Sequence, residues 1–183
     1  MAPDQTFDEV LAAAKEGEEW AWENIYNSVA GRLVGYLTMK GAPDPEAQAS
    51  ETLFNVARNI AKFDGDESSF RSWVFVIAHR RLIDARRAAG RNPTTMPLDR
   101  SSDAIGGDVE EEALGSVAHD DMLELLEPLT DDQREVIVLR MIADLSLEET
   151  AHVLGKRVGA IKALQRRALA NLKAHLESIG VSR

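Results

Sequence analysis

Residues 146–173 read SLEETAHVLGKRVGAIKALQRRALANLK, and the punctuation of this stretch decides the fold. Ser146 with Glu149 has capping-box spacing, in which each side chain satisfies the other residue's backbone N–H, so a helix opens there. Gly155 follows Ala151 by four residues and can take the left-handed backbone that reverses a chain. Ile161 comes six residues later and Leu164 three after that, placing branched apolar side chains where a second helix would dock on the first. A small residue at the crossing, glycine at the turn and apolar docking residues are what a helix-turn-helix requires. At about 100° per residue, Ile161, Leu164, Gln165, Ala168, Leu169 and Leu172 share one face, and Gly159, Lys162, Ala163, Arg166, Arg167 and Ala170 share the other. Cations separated from the packing face, with small residues at 159, 160 and 163 that permit close approach, suit a helix seated in a major groove. An ordinary helical hairpin with a solvated basic face is the competing reading, and the clean separation of charge weighs against it.

The basic character is local. The chain of 183 residues has a formal net charge of −10, yet residues 155–183 hold seven bases against Glu177, and residues 71–91 hold six arginines against Asp84. Two basic islands in an acidic protein are the footprint of a polyanionic partner. With 44% apolar and 28% charged residues, the chain can build one moderate core or two small ones. It has no cysteine, which excludes disulfides and thiolate metal sites, and His79, His119, His152 and His175 do not stand at ligand spacing. No metal and no cofactor are expected. No run of ~18 apolar residues is present to span a bilayer, and the start MAPDQTFDEV lacks the layout of a signal peptide. No membrane insertion and a cytoplasmic location are therefore expected. The carboxylates are scattered over solvated faces or massed between the two basic islands, which argues against a nuclease or other enzyme.

Outward from the quoted stretch the chain reads as helix after helix. Thr6 with Glu9 and Thr130 with Gln133 repeat the capping-box spacing. Trp22, Ile25, Tyr26, Val29, Leu33, Tyr36 and Leu37 recur at three and four residues, as do Ala49, Leu53, Val56 and Ile60, with Asp44 and Pro45 supplying an N-cap and an N1 proline between the two stripes. The stretch FDGDESS reads as a loop, and Ser69 is placed to cap a helix from about Phe70 to about Ala89. That helix is apolar nearly all round at first and basic at its end, so it begins inside a core and ends outside it. Residues 92–118, rich in proline, glycine, serine and acids, read as a linker. The expected fold is all-α: two small helical domains joined by a flexible acidic linker, with boundaries at 1–91, 92–118 and 119–183.

Two stretches carry a family resemblance. LTDDQREVIVLRMIADLSLEETAHVLGKRVGAIKALQRRALANL is similar to region 4 of bacterial sigma-70-family initiation factors, and FDGDESSFRSWVFVIAHRRLIDARRAAGR to the end of their region 2. With only these regions and a linker between them, the whole chain resembles the extracytoplasmic-function (ECF) group. The resemblance implies a non-enzymatic subunit that binds core RNA polymerase, recognises the −35 and −10 promoter elements and helps open the DNA. It implies that helix 44–61 docks on the clamp helices of the largest subunit through Glu51, Asn55 and Arg58, where SET stands in place of the usual QET. It assigns −10 binding and melting to Ser68, Ser69, Phe70, Arg71, Trp73, Arg80, Arg81 and Arg87. Arg80 occupies a place where asparagine is common. It assigns −35 binding to Lys156, Arg157, Lys162, Ala163, Arg166, Arg167 and Lys173, with Ala163 and Leu164 where serine and arginine are common. Further implied partners are the flap of the second-largest subunit and an anti-sigma factor, and the linker would thread the polymerase cleft toward the RNA exit path.

Elementary chemistry points the same way. An extruded base needs a stacking surface and cations along its strand, and Phe70, Trp73 and Phe75 beside the arginines of 71–91 offer both, although each ring taken singly reads more readily as core. A dimeric helix-turn-helix regulator is the alternative, but its N-terminal half should then show strands or a ligand pocket.

Overall fold

The computed structural model describes residues 5–91, 122 and 124–180, and every regular element among them is helical. The first helix, α1 (Phe7–Glu16), opens on the Thr6–Glu9 capping box and stops at Gly17, whose φ of 90° is left-handed. It leads into α2 (Glu19–Met39). The next helix, α3 (Pro45–Asn59), has Pro45 in its first turn, and Asp44 accepts from the Ala47 N–H at 2.8 Å. A single 3₁₀ turn, Ile60–Lys62, closes it. The longest helix is α4 (Glu67–Arg91).

The second half holds α5 (Asp131–Met141), α6 (Leu147–Leu154) and α7 (Val158–Ser178), preceded by a helical turn at 124–126. Both expected capping boxes are formed, at Thr130–Gln133 and Ser146–Glu149. Gly155 turns the chain between α6 and α7 with φ 62°. The expected linker at 92–118 lies outside the described residues.

One buried cluster runs from Val10 and Leu11 through Leu33, Tyr36, Phe70 and Val74 to Leu139, Leu145 and Val153, so it crosses from the first half to the second. A smaller cluster, Val136, Ala151 and Ile161, pins α7 to α5 and α6. Here the helix-turn-helix docking residues read from the sequence do meet. The halves also touch directly, with α6 packed against α4 and α5 against α2.

Three expectations need correction. Helix α4 starts three residues early because Asp66, not Ser69, is its cap: Asp66 Oδ1 accepts from the Ser69 N–H at 2.8 Å. Hydrogen bonds from the Ser69 side chain and N–H also hold the Asp66 carboxyl below its ordinary value. Tyr26, expected on the inner face of α2, is 56% exposed; Ala21, Ala30 and Met39 complete the buried face instead. Leu169, expected to pack inward, is 46% exposed. The reason is that it borders a groove rather than a neighbouring helix, as described below.

Candidate nucleic-acid interface

Helix α7 presents the segregated faces that its sequence requires. Ile161 and Ala168 are fully buried while Lys162, Arg166 and Arg167 are exposed, with Ala163 half-buried between them. Gln133 fixes the angle of the helix: its Oε1 accepts from the Asn171 side-chain amide at 3.0 Å and also completes the Thr130 capping box. At the turn, Lys156 donates to Asp132 at 3.3 Å and Arg157 is the N-cap residue, its side chain making no capping bond. The N-terminus of α7 thus has no side-chain cap and stands beside two cations, an arrangement that favours phosphate. Lys173 is exposed farther along the helix and pairs with Glu177 at 3.8 Å.

The second basic island is less open. Phe70 is 2% exposed and Phe75 1%, so these rings are core, and Phe70 is corrected from a DNA-stacking residue to a packing one. It sits edge-on to Phe63 at 5.4 Å and meets Trp73 at 5.9 Å. Phe70 faces the core and Trp73 lies at its margin. Trp73 is half-buried and stacks on Phe63 with ring centroids 5.0 Å apart. Ser69 and Arg80 are exposed. Arg87 is exposed too and lies 3.8 Å from Asp84.

Ser68 and Arg71 are held by the other half of the molecule. Glu149 Oε1 accepts from Ser68 Oγ at 3.0 Å and from Arg71 Nε and Nη2 at 3.2 and 3.1 Å, while Oε2 accepts from the Ser146 N–H. The Glu149 side chain is 3% exposed. Burial pushes its carboxyl up, but the bonds from Ser146 and Ser68 and the Arg71 charge outweigh that and hold it below its ordinary value. A second junction joins Lys40 to Glu135 at 2.8 Å, with His79 Nδ1 3.2 Å from the same oxygen and 2.9 Å from Tyr36 Oη. Burial, and then the Glu135 charge, raises the Tyr36 hydroxyl well above its ordinary value, so it stays protonated.

On α3, Glu51, Asn55 and Arg58 fall on one side, as the spacing predicts. Glu51 and Arg58 are exposed and Asn55 is half-buried, its amide donating to the Glu51 carbonyl at 3.3 Å. Glu51 is ion-paired with Arg81, which joins a residue of one expected surface to a residue of the other. Sequence reasoning missed Phe54, which is 64% exposed with the Arg58 guanidinium 5.8 Å above its ring. An aromatic one position off the apolar stripe of α3 was the available signal. It also missed a groove of about 870 Å³ bordered by Met122, Leu126, Met141, Leu169, Leu172 and Leu176.

Among the described residues no cluster of histidine and carboxylate side chains could hold a metal ion, and no helix is long and apolar enough to cross a membrane.

The family model Sigma-70 region 2 matches residues 25–92, and Sigma-70, region 4 matches residues 125–174. The ECF RNA polymerase sigma factor ShbA of Streptomyces griseus is 36% identical over 138 residues, covering 72% of this chain and 71% of its own. The chain belongs to the ECF sigma factors of the sigma-70 family. The factor is also 29% identical over 186 residues to the ECF sigma factor SigD of Mycobacterium tuberculosis, across 96% of this chain and 86% of that one. Among solved structures, CnrH in complex with the cytosolic domain of CnrY superposes with a TM-score of 0.68 at 23% identity, over 92% of this chain and 96% of that one. The sigma factor RpoE of Bartonella quintana, in complex with the anti-sigma factor NepR, gives 0.60 at 21%, over 88% and 98%. At those identities the likeness is one of fold. Two helical domains, region 2 and region 4, are thus assigned to the two halves of this sigma factor.

Proposed function

We propose that this factor binds core RNA polymerase in the bacterial cytoplasm, recognises a −35 element with α7 and a −10 element with α4, and promotes strand opening at the start of transcription. The observation that carries the reading is the exposed face of α7, where Lys162, Arg166 and Arg167 stand clear of the buried Ile161 and Ala168 on a helix-turn-helix. Arginine on such a face can grip guanine through both acceptor atoms, worth about 1–3 kcal/mol of discrimination. Ser69, Trp73 and Arg80 at the open side of α4 would meet the melted strand, with Arg81 and Arg87 along its backbone. The acidic region between the domains would tether them.

Glu51, Asn55 and Arg58 form the polymerase-docking side of α3, and the exposed Phe54 adds an apolar anchor among them. The groove beside α7 suits an apolar helix such as the tip of the polymerase flap, since Met141 and Leu169 are 66% and 46% exposed there. The relative SigD is named an RNA polymerase sigma factor, and two structural neighbours are bound to partner proteins, one of them named an anti-sigma factor. An anti-sigma partner is therefore part of the proposal.

The test is association with core polymerase, followed by fluorescence anisotropy of the labelled factor. Wild type should bind, and Glu51→Lys should weaken binding by on the order of a few kcal/mol if the carboxylate faces a cationic, desolvated contact. The fold should be little affected, because the exposed pair with Arg81 contributes ~0–1 kcal/mol. Unchanged affinity in Glu51→Lys would remove Glu51 from the docking surface.

A further inference from the structure

Helix α7 is seated on α5 and α6 chiefly by apolar contact. Near its start Ile161 closes a small cluster with Val136 and Ala151, and two turns on Ala168 is buried against the main core. Apolar contact is non-directional, so such a seat fixes the distance between helices better than the angle between them. With Ile161 as zero and about 100° per residue, Leu169, Leu172 and Leu176 fall at roughly +20° to +80°, and Asn171 at about −80°. The leucine flank borders the groove of about 870 Å³, where Leu169 stands exposed, so no helix backs α7 on that side.

The opposite flank carries a directional tie. Asn171 donates to Gln133 Oε1 at 3.0 Å, and among the described residues this is the one side-chain hydrogen bond from α7 to another helix. Gln133 is itself held. It is 7% exposed, its Oε1 also accepts from the Thr130 N–H at 3.3 Å, and its own N–H donates to Thr130 Oγ1 at 3.4 Å. A carbonyl oxygen has two lone pairs, so both bonds to Oε1 form together. The anchor therefore belongs to the first turn of α5 and does not follow α7.

Leverage gives that tie its consequence. At ~1.5 Å per residue, Asn171 lies about 15 Å along α7 from Ile161, Arg167 about 9 Å and Lys162 about 1.5 Å. A tilt of ~5° about Ile161 would move Arg167 by ~0.8 Å and Lys162 by ~0.1 Å. Recognition geometry tolerates about 0.5 Å. A two-pronged arginine contact with guanine is lost by such a shift, whereas a lysine near the pivot keeps its phosphate.

We propose that Gln133 and Asn171 are positioning residues of the −35 reader: their hydrogen bond sets the tilt of α7 and thereby how sharply Arg166 and Arg167 discriminate between bases. This rests on the reading of α7 as the −35 helix.

The test uses the full chain assembled with core polymerase on a promoter library randomised in the −35 element, each member carrying a transcribed barcode that is counted by sequencing. Arg166→Ala and Arg167→Ala identify the base positions that the arginines read. Asn171→Ala and Gln133→Met change no charge, and methionine keeps the buried volume. Both should lower discrimination at those same positions by roughly fivefold, with affinity for random duplex DNA within about twofold of wild type. Gln133→Glu keeps the acceptor for Thr130 and Asn171 and should retain the wild-type preference. Thermal denaturation separates a structural role: a fall in Tm and in affinity for all sequences alike, with discrimination intact, would overturn the proposal. So would a loss in Asn171→Ala without one in Gln133→Met, because Asn171 would then be touching DNA itself, and so would equal losses in Gln133→Glu and Gln133→Met. A wild type with no base preference in the −35 element would bring down the reading of α7 and the positioning role with it. A selective wild type with equally selective Asn171 and Gln133 variants would leave that reading standing and remove the positioning role alone.

Discussion

Arg166 and Arg167 differ from Lys173 in what they can do to DNA, although all three are cations on one helix. The arginines stand on the exposed face opposite Ile161, whereas Lys173 lies past it, paired with Glu177 at the rim of the apolar groove. Replacing either arginine by alanine should cost ~1–3 kcal/mol at one promoter position, while Lys173→Ala should weaken every sequence alike and lower the salt slope by about one. Binding titrations against single-base promoter variants at two salt concentrations check this. Uniform loss at all three would mean that the face only holds phosphates. The aromatic residues divide in another way. Phe70→Ala should cost ~3–5 kcal/mol and melt early, because a fully buried ring leaves a cavity. Trp73→Ala, half-buried on Phe63, should stay helical, lose activity on a duplex promoter and regain most of it on a pre-opened bubble. Early melting of Trp73→Ala would make that ring structural as well. The sequence could place both rings on α4 but could not tell them apart, since the start of that helix is apolar nearly all round and its pattern marks no single inward face.

Helix ends were the most legible elements. Three capping boxes and the Gly155 turn appear in the structure where the spacing puts them, because a cap is a local bargain between a side chain and the N–H groups within one turn. Ser146→Ala should therefore cost ~1 kcal/mol, a fall in Tm of about 2–4 °C for a chain of this size, measured by thermal denaturation. An unchanged Tm would show that α6 is held by packing alone. Faces were legible where a helix has core on one side only, as in α7. They were less so in α2, whose neighbours on two sides bury Ala21 and Ala30 and leave Tyr26 out. Small residues on a helix packed from two directions carry little hydropathy signal, so periodicity gave the larger side chains too much weight.

The junction between the halves could not be read from the chain at all. Lys40, His79, Glu135 and Glu149 lie far apart in sequence, and each alone reads as a solvated charge or a cap. Together they make the contact between the halves sensitive to acid. Burial by itself raises the Glu135 carboxyl, but hydrogen bonds from His79 and Lys40, with the electrostatic pull of both, outweigh it and bring it to about 2. A carboxyl depressed by folding stabilises the folded form above its ordinary value of 4.5, and that contribution fades as pH falls from there toward 2. Wild type should accordingly lose Tm across that window more steeply than Glu135→Gln; parallel curves would show that Glu135 gains nothing from that contact. The family, by contrast, was legible from the start, since two unrelated motifs in order and spacing are far more specific than either alone. What the factor does rests most directly on run-off transcription with purified core polymerase, this protein and a promoter library. Specific transcripts sharing a −35 and a −10 element, absent with core enzyme alone, are the predicted result. Sequence-specific DNA binding with no initiation would contradict it and leave a helix-turn-helix regulator in its place.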